Sequence, residues 1–474
     1  MDWFSVDRSS PEPLIRQVYA GIRNAMFSGK LQPGDKLPST RELARRIGVS
    51  RNVAMEAYDM LFAEGFVVGS KGSGTYVAEG TRFDRRLSAG DADRSAAAEA
   101  GRSAAARAPA TYIDFRTGEP DKALFPREPW LRCYNQAIRQ APAELFKYQP
   151  AEGSYALRSA IASYLRRMRG IVCEPERIVV TNGAAQSFWI AAKLLLSPDR
   201  AVVVEDPSGQ EIRRTYSSFG ARIDAVPVDR DGLRTSLLPA DGRVAFVHVT
   251  PSHQYPLGGV MPIQRRIELL NYARSTGAYI LEDDYDSEFR YEGQPVSAMV
   301  ELDPERVIYV GTFSKTLSPA LRIGYAVLPE ALVAPFRHEK WTMDVHSNAL
   351  EQEALALFVE DGHLERHIRK SRHAYRKKQQ LLLKLLNETF DGRLECYGTS
   401  TGLHLTIRTQ ALPTLHAPTI VNGVKLYPIR HYAVRTGDER ANEWLFGFGH
   451  LSEREIEAGA ERLAQVRGAV EITR

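Results

Sequence analysis

Lys315 lies in the run Val310-Gly-Thr-Phe-Ser-Lys-Thr-Leu-Ser-Pro-Ala-Leu-Arg322, a turn of small and hydroxylated residues after the apolar stretch Val307-Ile-Tyr-Val310. A lysine amine kept partly desolvated there, near phosphate-binding groups, is suited to an imine link with an aldehyde cofactor. An isolated Ser-Lys pair is most often a surface feature. This lysine is not isolated. Tyr285, in the acidic segment Glu282-Asp-Asp-Tyr-Asp-Ser-Glu-Phe289, precedes it by thirty residues, and Arg322 follows seven residues later. An aspartate in that segment can hold a protonated ring nitrogen, and Tyr285 can donate to a ring hydroxyl. Arg322 is a permanently charged fork suited to phosphate. Thr181-Asn-Gly-Ala-Ala-Gln186 adds a turn whose free amides suit the same anion. Taken singly, each has a plainer reading as a packing turn, an acidic loop or a surface arginine. Together, in this order, they match pyridoxal phosphate.

The elements that must position these groups are legible. Arg177–Thr181, Ala201–Glu205, Ala245–Thr250, Ala278–Glu282 and Val307–Val310 are short continuous apolar runs, the pattern of parallel strands covered on both faces. Helical stretches such as Gln186–Leu196 and Pro262–Thr276 separate them. The alternation predicts a doubly wound α/β sheet with its ligand crevice at the carboxyl ends of the strands. After Pro335 the chain turns helical, then gives a smaller mixed α+β subdomain around Gly402–Ile407 and Trp444–Phe448.

A chain of 474 residues is long for one core, so several domains are expected. A hydrophobic fraction of 43% with 25% charged residues is ordinary for a globular protein. No run of about 18 apolar residues occurs, so no membrane partner is expected. The start of the chain lacks signal-peptide character, and Cys133, Cys173 and Cys396 have no metal spacing. These features point to a cytoplasmic protein. The net charge of +4 is too small to argue for nucleic acid, so any such contact must come from local placement.

The first eighty residues follow a different plan. Leu14, Val18, Ile22 and Met26 mark an amphipathic helix. Ser39 and Glu42 form a capping box that opens a second helix, Gly48 ends it, and Ser50 caps a third running to about Glu64. Gly65 to Val77 reads as a hairpin with a glycine-rich tip at Lys71, so the whole is a winged helix-turn-helix. Ser50, Arg51 and Asn52 open the third helix, where a recognition helix meets DNA, and Arg41 lies in the first turn of the second. Residues 80–111, rich in alanine and arginine and nearly devoid of large apolar residues, read as a flexible linker between a DNA-binding domain at 1–79 and a body at 112–474.

The segments Leu31-Gln-Pro-Gly-Asp-Lys-Leu-Pro-Ser-Thr-Arg-Glu-Leu-Ala44, Val49-Ser-Arg51 and Gly72-Ser-Gly-Thr-Tyr-Val77 resemble the GntR family of bacterial regulators. That resemblance implies DNA contacts from Arg41, Ser50, Arg51, Asn52 and Lys71. Residues 112–470 resemble a fold-type I aminotransferase, through Asp114-Phe-Arg-Thr-Gly-Glu-Pro120, Tyr148-Gln-Pro-Ala-Glu-Gly-Ser154 and the lysine segment. By position, this implies that Lys315 forms the imine with pyridoxal 5′-phosphate, Asp283 pairs with the pyridine nitrogen, and Tyr285 bonds the 3′-oxygen. Gly183, Ala184, Ala185, Ser314 and Arg322 would hold the phosphate. With Thr250-Pro-Ser-His-Gln-Tyr-Pro256, the whole chain resembles the MocR/GabR-type transcription regulators. The resemblance implies a nucleoid-associated bacterial regulator of double-stranded DNA. It also implies a domain-swapped, head-to-tail homodimer whose body senses a small-molecule effector.

The chain departs from the aminotransferase pattern at three places. Tyr255 stands where an asparagine usually precedes the proline, and Gly209 where a ring-stacking aromatic is usual. Phe446 falls where an arginine usually grips a substrate carboxylate, which phenylalanine cannot do. The expected function is therefore a pyridoxal phosphate-dependent DNA-binding regulator, with no catalytic residue assigned and at most residual transaminase activity. Its effector would be the cofactor itself, or an amine or amino-acid-like ligand held elsewhere, for instance by Arg430 or Arg435. The alternative is a working aminotransferase with an appended DNA-binding domain.

Overall fold

A computed structural model describes residues 3–70, 74–80, 112–240, 242–293, 296–434 and 440–472. The chain divides into two compact units, Met1–Ala108 and Pro109–Arg474. Lys71, Arg435 and nearly all of the expected linker lie outside the described residues.

In the first unit, helix Leu14–Phe27 buries Val18, Tyr19, Ile22, Ala25 and Met26 on one face, the stripe that its periodicity demands. Helices Thr40–Ile47 and Arg51–Ala63 complete the tri-helical core, and Gly48 joins them in the left-handed conformation at φ 71°. The caps form as expected. Ser39 Oγ accepts from the Glu42 amide at 3.2 Å, and Ser50 Oγ from the Val53 amide at 3.3 Å. Tyr58 ties the third helix to the entrance of the second by donating to the Pro38 carbonyl at 2.8 Å. Strands β1 (Lys36–Leu37), β2 (Val67–Ser70) and β3 (Gly74–Val77) make an antiparallel sheet in the order β1-β3-β2, which is the wing.

The second unit opens with β4 (Ile113–Asp114). Its large sheet contains β5 (Ile178–Thr181), β6 (Ala201–Asp206), β7 (Arg222–Asp229), β8 (Gly232–Leu233), β9 (Val244–Val249), β10 (Tyr279–Asp284), β11 (Val307–Thr312) and β12 (Gly324–Val327). The order is β5-β12-β11-β10-β9-β6-β7-β8. Pairing is parallel from β11 through β7, whereas β12 runs antiparallel to both of its neighbours and β8 antiparallel to β7. The sheet is therefore mixed rather than uniformly parallel. Helices cover both faces, as β5 illustrates: Ile178 and Val180 enter one core while Val179 enters another.

A smaller sheet follows, built from β13 (Glu395–Tyr397), β14 (His404–Arg408), β15 (Thr419–Val421), β16 (Val424–Pro428) and β17 (Glu443–Gly447), with β4 added parallel to β16. Helices His363–Thr389 and Glu453–Ile472 lie beside it over a third core. The segment entering this unit passes β17 so closely that a Cβ on Gly447 would lie 1.9 Å from the Arg116 carbonyl oxygen. That close approach helps deliver Thr117 and Gly118 to the crevice at the strand ends. Among the described residues, no helix is long and apolar enough to cross a membrane.

Candidate functional site

The carboxyl ends of the large-sheet strands open into a cavity of about 540 Å³ lined by residues from both sheets of the second unit. Strand alternation decides which acid of the 282–284 run reaches it. Glu282 points away and accepts from the Met299 and Val300 amides at 3.0 and 3.1 Å. Asp284 also faces away, bonded to Tyr309 at 2.6 Å and to Arg169 at 2.9 Å. Asp283 turns into the cavity, where its Oδ1 has no hydrogen-bond partner among the described residues. Burial raises its pKa, and the neighbouring His248 partly offsets this.

His248 Nε2 stands 3.7 Å from Asp283 Oδ2, and its Nδ1 lies 2.6 Å from the Tyr216 hydroxyl. In the neutral tautomer with its proton on Nε2, toward the carboxylate, Nδ1 can accept from the Tyr216 hydroxyl. Sequence reasoning missed His248. The available signal was a titratable ring inside the buried run of β9.

Lys315 sits on the short helix Phe313–Thr316 that ends β11, capped by Thr312, whose side chain accepts from the Ser314 amide. Its Nζ donates to the Gly118 carbonyl at 2.5 Å. Burial lowers the amine's pKa, with Asp286 and Asp283 opposing that shift. Gly118 has φ +82°, and a Cβ there would lie 3.1 Å from Nζ. Tyr285 also lines the cavity, and its hydroxyl donates to the His253 carbonyl at 2.9 Å.

At the other end, Gly183 precedes helix Ala184–Leu195 with φ 84° and ψ 165°. A Cβ there would fall 2.8 Å from Arg322 Nη2. Arg322 adopts φ 50°, a left-handed conformation uncommon for a side-chain-bearing residue, and donates to the Asn182 carbonyl at 2.9 Å. Ala184, Ala185, Ser314 and Arg322 all line the cavity. The cavity thus gathers a helix N-terminus, a hydroxyl and a guanidinium, groups of the kind that suit an anion.

The departures from the aminotransferase pattern resolve differently. Tyr255 lines the cavity, its hydroxyl 2.9 Å from Thr117 Oγ1, and Gly209 lies in the wall without a ring to offer. Phe188 and His248, in edge contact at 4.9 Å, supply aromatic surface there instead. Phe446 is corrected. It is buried in the small-sheet core, its ring 5.0 Å from that of Phe115, and is no part of the cavity wall. Its neighbour Leu445 faces the opposite side, paired across the sheet with Tyr427, which does line the cavity. Arg430 does not line the cavity either.

In the first unit, Arg41, Ser50, Arg51 and Asn52 are all exposed. The last three begin the third helix, and Arg41 lies in the first turn of the second.

Residues 110–440 match the aminotransferase class I and II family and residues 14–77 the bacterial regulatory proteins of the gntR family. The chain is 36% identical to the probable rhizopine catabolism regulatory protein MocR of Rhizobium meliloti, over 86% of this chain and 84% of that protein. It is 32% identical to the pyridoxine biosynthesis transcriptional regulator PdxR of Corynebacterium glutamicum, over 94% of this chain and 93% of that one. The chain belongs to the MocR-type transcription regulators. Like them it joins a GntR helix-turn-helix to an aminotransferase-like body, and it acts as a DNA-binding regulator. The body of this MocR-type chain also superposes on a solved archaeal alanine:glyoxylate aminotransferase with a TM-score of 0.69 at 26% identity, over 79% of this chain and 94% of that one.

Proposed function

We propose that this regulator binds pyridoxal 5′-phosphate through Lys315 and that the state of the cavity sets its grip on DNA. One observation carries the reading: a buried amine of lowered pKa and a buried, half-unpartnered carboxylate share a cavity with an anion cradle. The fit is chemical as well as spatial. The free Oδ1 of Asp283 is an acceptor awaiting a donor, as a protonated ring nitrogen would be, and His248 favours the ionised form. Ala184, Ala185, Ser314 and Arg322 would take the phosphate, with Gly183 giving Arg322 its room. When bound, the cofactor supplies an aldehyde that condenses with primary amines. Tyr285 would contribute its hydroxyl to the 3′-oxygen.

The effector is the cofactor itself or an amine or amino-acid-like molecule that competes for the same carbonyl. The apolar Leu445 on the strand that usually carries the carboxylate arginine supports a ligand other than a simple α-amino acid. Any transaminase turnover would be residual. Arg41, Ser50, Arg51, Asn52 and Lys71 would make the DNA contacts, from a domain at 1–79 joined by a linker at 80–111 to a body at 112–474. Two chains would pair head to tail, each winged helix placed over the partner's body. The exposed apolar side chains Phe146, Tyr148, Leu131 and Trp341 support burial of this surface against a second copy. Such a regulator works on the bacterial nucleoid in the cytoplasm.

The test is covalent trapping. Borohydride treatment with pyridoxal phosphate present should label the peptide containing Lys315, and Lys315→Ala should remain unlabelled. DNA affinity should change on cofactor addition for the native protein and stay constant for the variant. Labelling spread over surface lysines, with Lys315 untouched, would overturn the reading.

A further inference from the structure

Helix His363–Thr389 carries a charge distribution that the cavity does not use. From His363 to Lys384 the sequence holds eight lysines and arginines against one acid, Glu365, in a chain whose whole net charge is +4. Two of the eight serve the fold. Lys378 pairs with Asp121 at 2.7 Å, and Arg372 donates to the Glu288 carbonyl at 2.9 Å. Two others have local partners: Arg366 donates to the Asp361 carbonyl, and Lys384 lies 3.9 Å from Glu388. The remaining four, Arg369, Lys370, Arg376 and Lys377, are exposed and form no hydrogen bond or ion pair with any described residue.

Their spacing places them together. Arg369 and Arg376, like Lys370 and Lys377, stand seven residues apart, two turns along the same face, so the two pairs lie roughly 10 Å from each other. Within the helix, Arg366–Lys370 and Arg372–Arg376 are like-charge pairs at i,i+4, which weaken a helix. The buried face, with Leu364, Ile368, Tyr375, Leu382 and Leu386, secures the helix without needing an unbalanced outer face. Arg454, on the terminal helix, joins Lys370 and Lys377 around an adjoining depression that also contains Glu453.

We propose that this stripe binds the phosphodiester backbone of duplex DNA, adding a sequence-independent contact from the body to the grip of the winged helix. Duplex DNA is a dense, regular polyanion, about one charge per 1.7 Å of axis, and unpaired lysines and arginines match it without reading bases. A membrane surface is the poorer fit. None of the large exposed apolar side chains lies on this helix, so nothing is available to enter a bilayer beside the cations. The proposal is independent of the cofactor: Lys315→Ala should retain the contact.

The test uses the full chain with Arg369, Lys370, Arg376 and Lys377 all changed to glutamine. Its thermal midpoint should be unchanged or higher, because like-charge contacts are removed. On a mixed-sequence duplex of about 60 base pairs, the slope of log affinity against log salt should fall by about 0.9 per lost contact, so by roughly 3 to 4. On a duplex of about 12 base pairs, roughly one helical turn and room for little beyond one recognition helix, variant and native protein should bind alike. Equal binding on both lengths at every salt concentration would overturn the proposal. Equal loss on both lengths would do so as well, by placing the effect at the winged helix. Unchanged DNA binding with reduced adsorption to vesicles of anionic phospholipid would reassign the stripe to a membrane.

Discussion

Burial places Glu205 at odds with its charge, and the consequence is measurable. Its Oε2 accepts from the hydroxyl and amide of Thr250 and from Gln254 Nε2, but its Oε1 has no partner among the described residues, and burial lifts its pKa from 4.5 to about 7. The folded state therefore binds a proton that the unfolded state has already lost between those two values. Stability from this group is complete below the unfolded pKa and falls as pH rises through that window, by about 3 kcal/mol at 1.36 kcal/mol per unit. Glu205→Gln keeps an acceptor toward Thr250 and removes the titration. In cofactor-free protein the variant should gain thermal stability at pH 8 and differ little at pH 5. A gain of equal size at both pH values would exclude this origin. At the same scale, residue type alone singled out Lys315 and Arg322, whereas only the resemblance chose Asp283 from its acidic segment; the structure brings all three to one cavity, and their roles toward a cofactor belong to the proposal. It misplaced Phe446, because one residue of register moves a strand side chain to the other face. Only the packing of Phe446 on Phe115, with Leu445 turned toward Tyr427, fixes that choice.

At the level of elements, the proposed anion cradle depends on how β5 passes into helix Ala184–Leu195. Gly183, at φ 84° and ψ 165°, occupies a region open essentially to glycine alone. Gly183→Ala should cost about 1–3 kcal/mol in stability from backbone strain, and its Cβ should also displace the Arg322 guanidinium. Gly220, at φ +71° with nothing within 4 Å of the point where a Cβ would stand, separates the two effects. Gly220→Ala should strain the backbone yet leave phosphate binding, measured by calorimetric titration, at its native strength. Equal losses of phosphate affinity in both variants would show that strain alone is responsible. The winged helix was readable almost residue by residue, since serine N-caps and a left-handed glycine are local signals. The short antiparallel strand β12 was not. Gly324–Val327 begins two residues after Arg322, and its place between β5 and β11 is decided by long-range pairing that periodicity does not encode.

At the scale of the whole molecule, each unit closes its own core: residues 18 to 77 build one, and the body builds three more. Two compact units that share no core should melt in separate transitions, one for the winged helix and one for the body. Pyridoxal phosphate binds only the native body in the proposed reading, so at a hundredfold excess over its Kd it should stabilise the body's transition by about 2.7 kcal/mol. The winged-helix transition should stay where it was in the absence of DNA. Linkage then imposes a reciprocal condition. If the cofactor changes DNA affinity by some factor, DNA must change cofactor affinity by the same factor. Titrating the cofactor into free protein and into protein saturated with DNA should give that matching ratio, and Lys315→Ala should abolish both halves of it. A cofactor-dependent change in DNA affinity with no reciprocal change would break the thermodynamic cycle. The coupling would then have to be sought in a third species, such as a change of oligomeric state on binding.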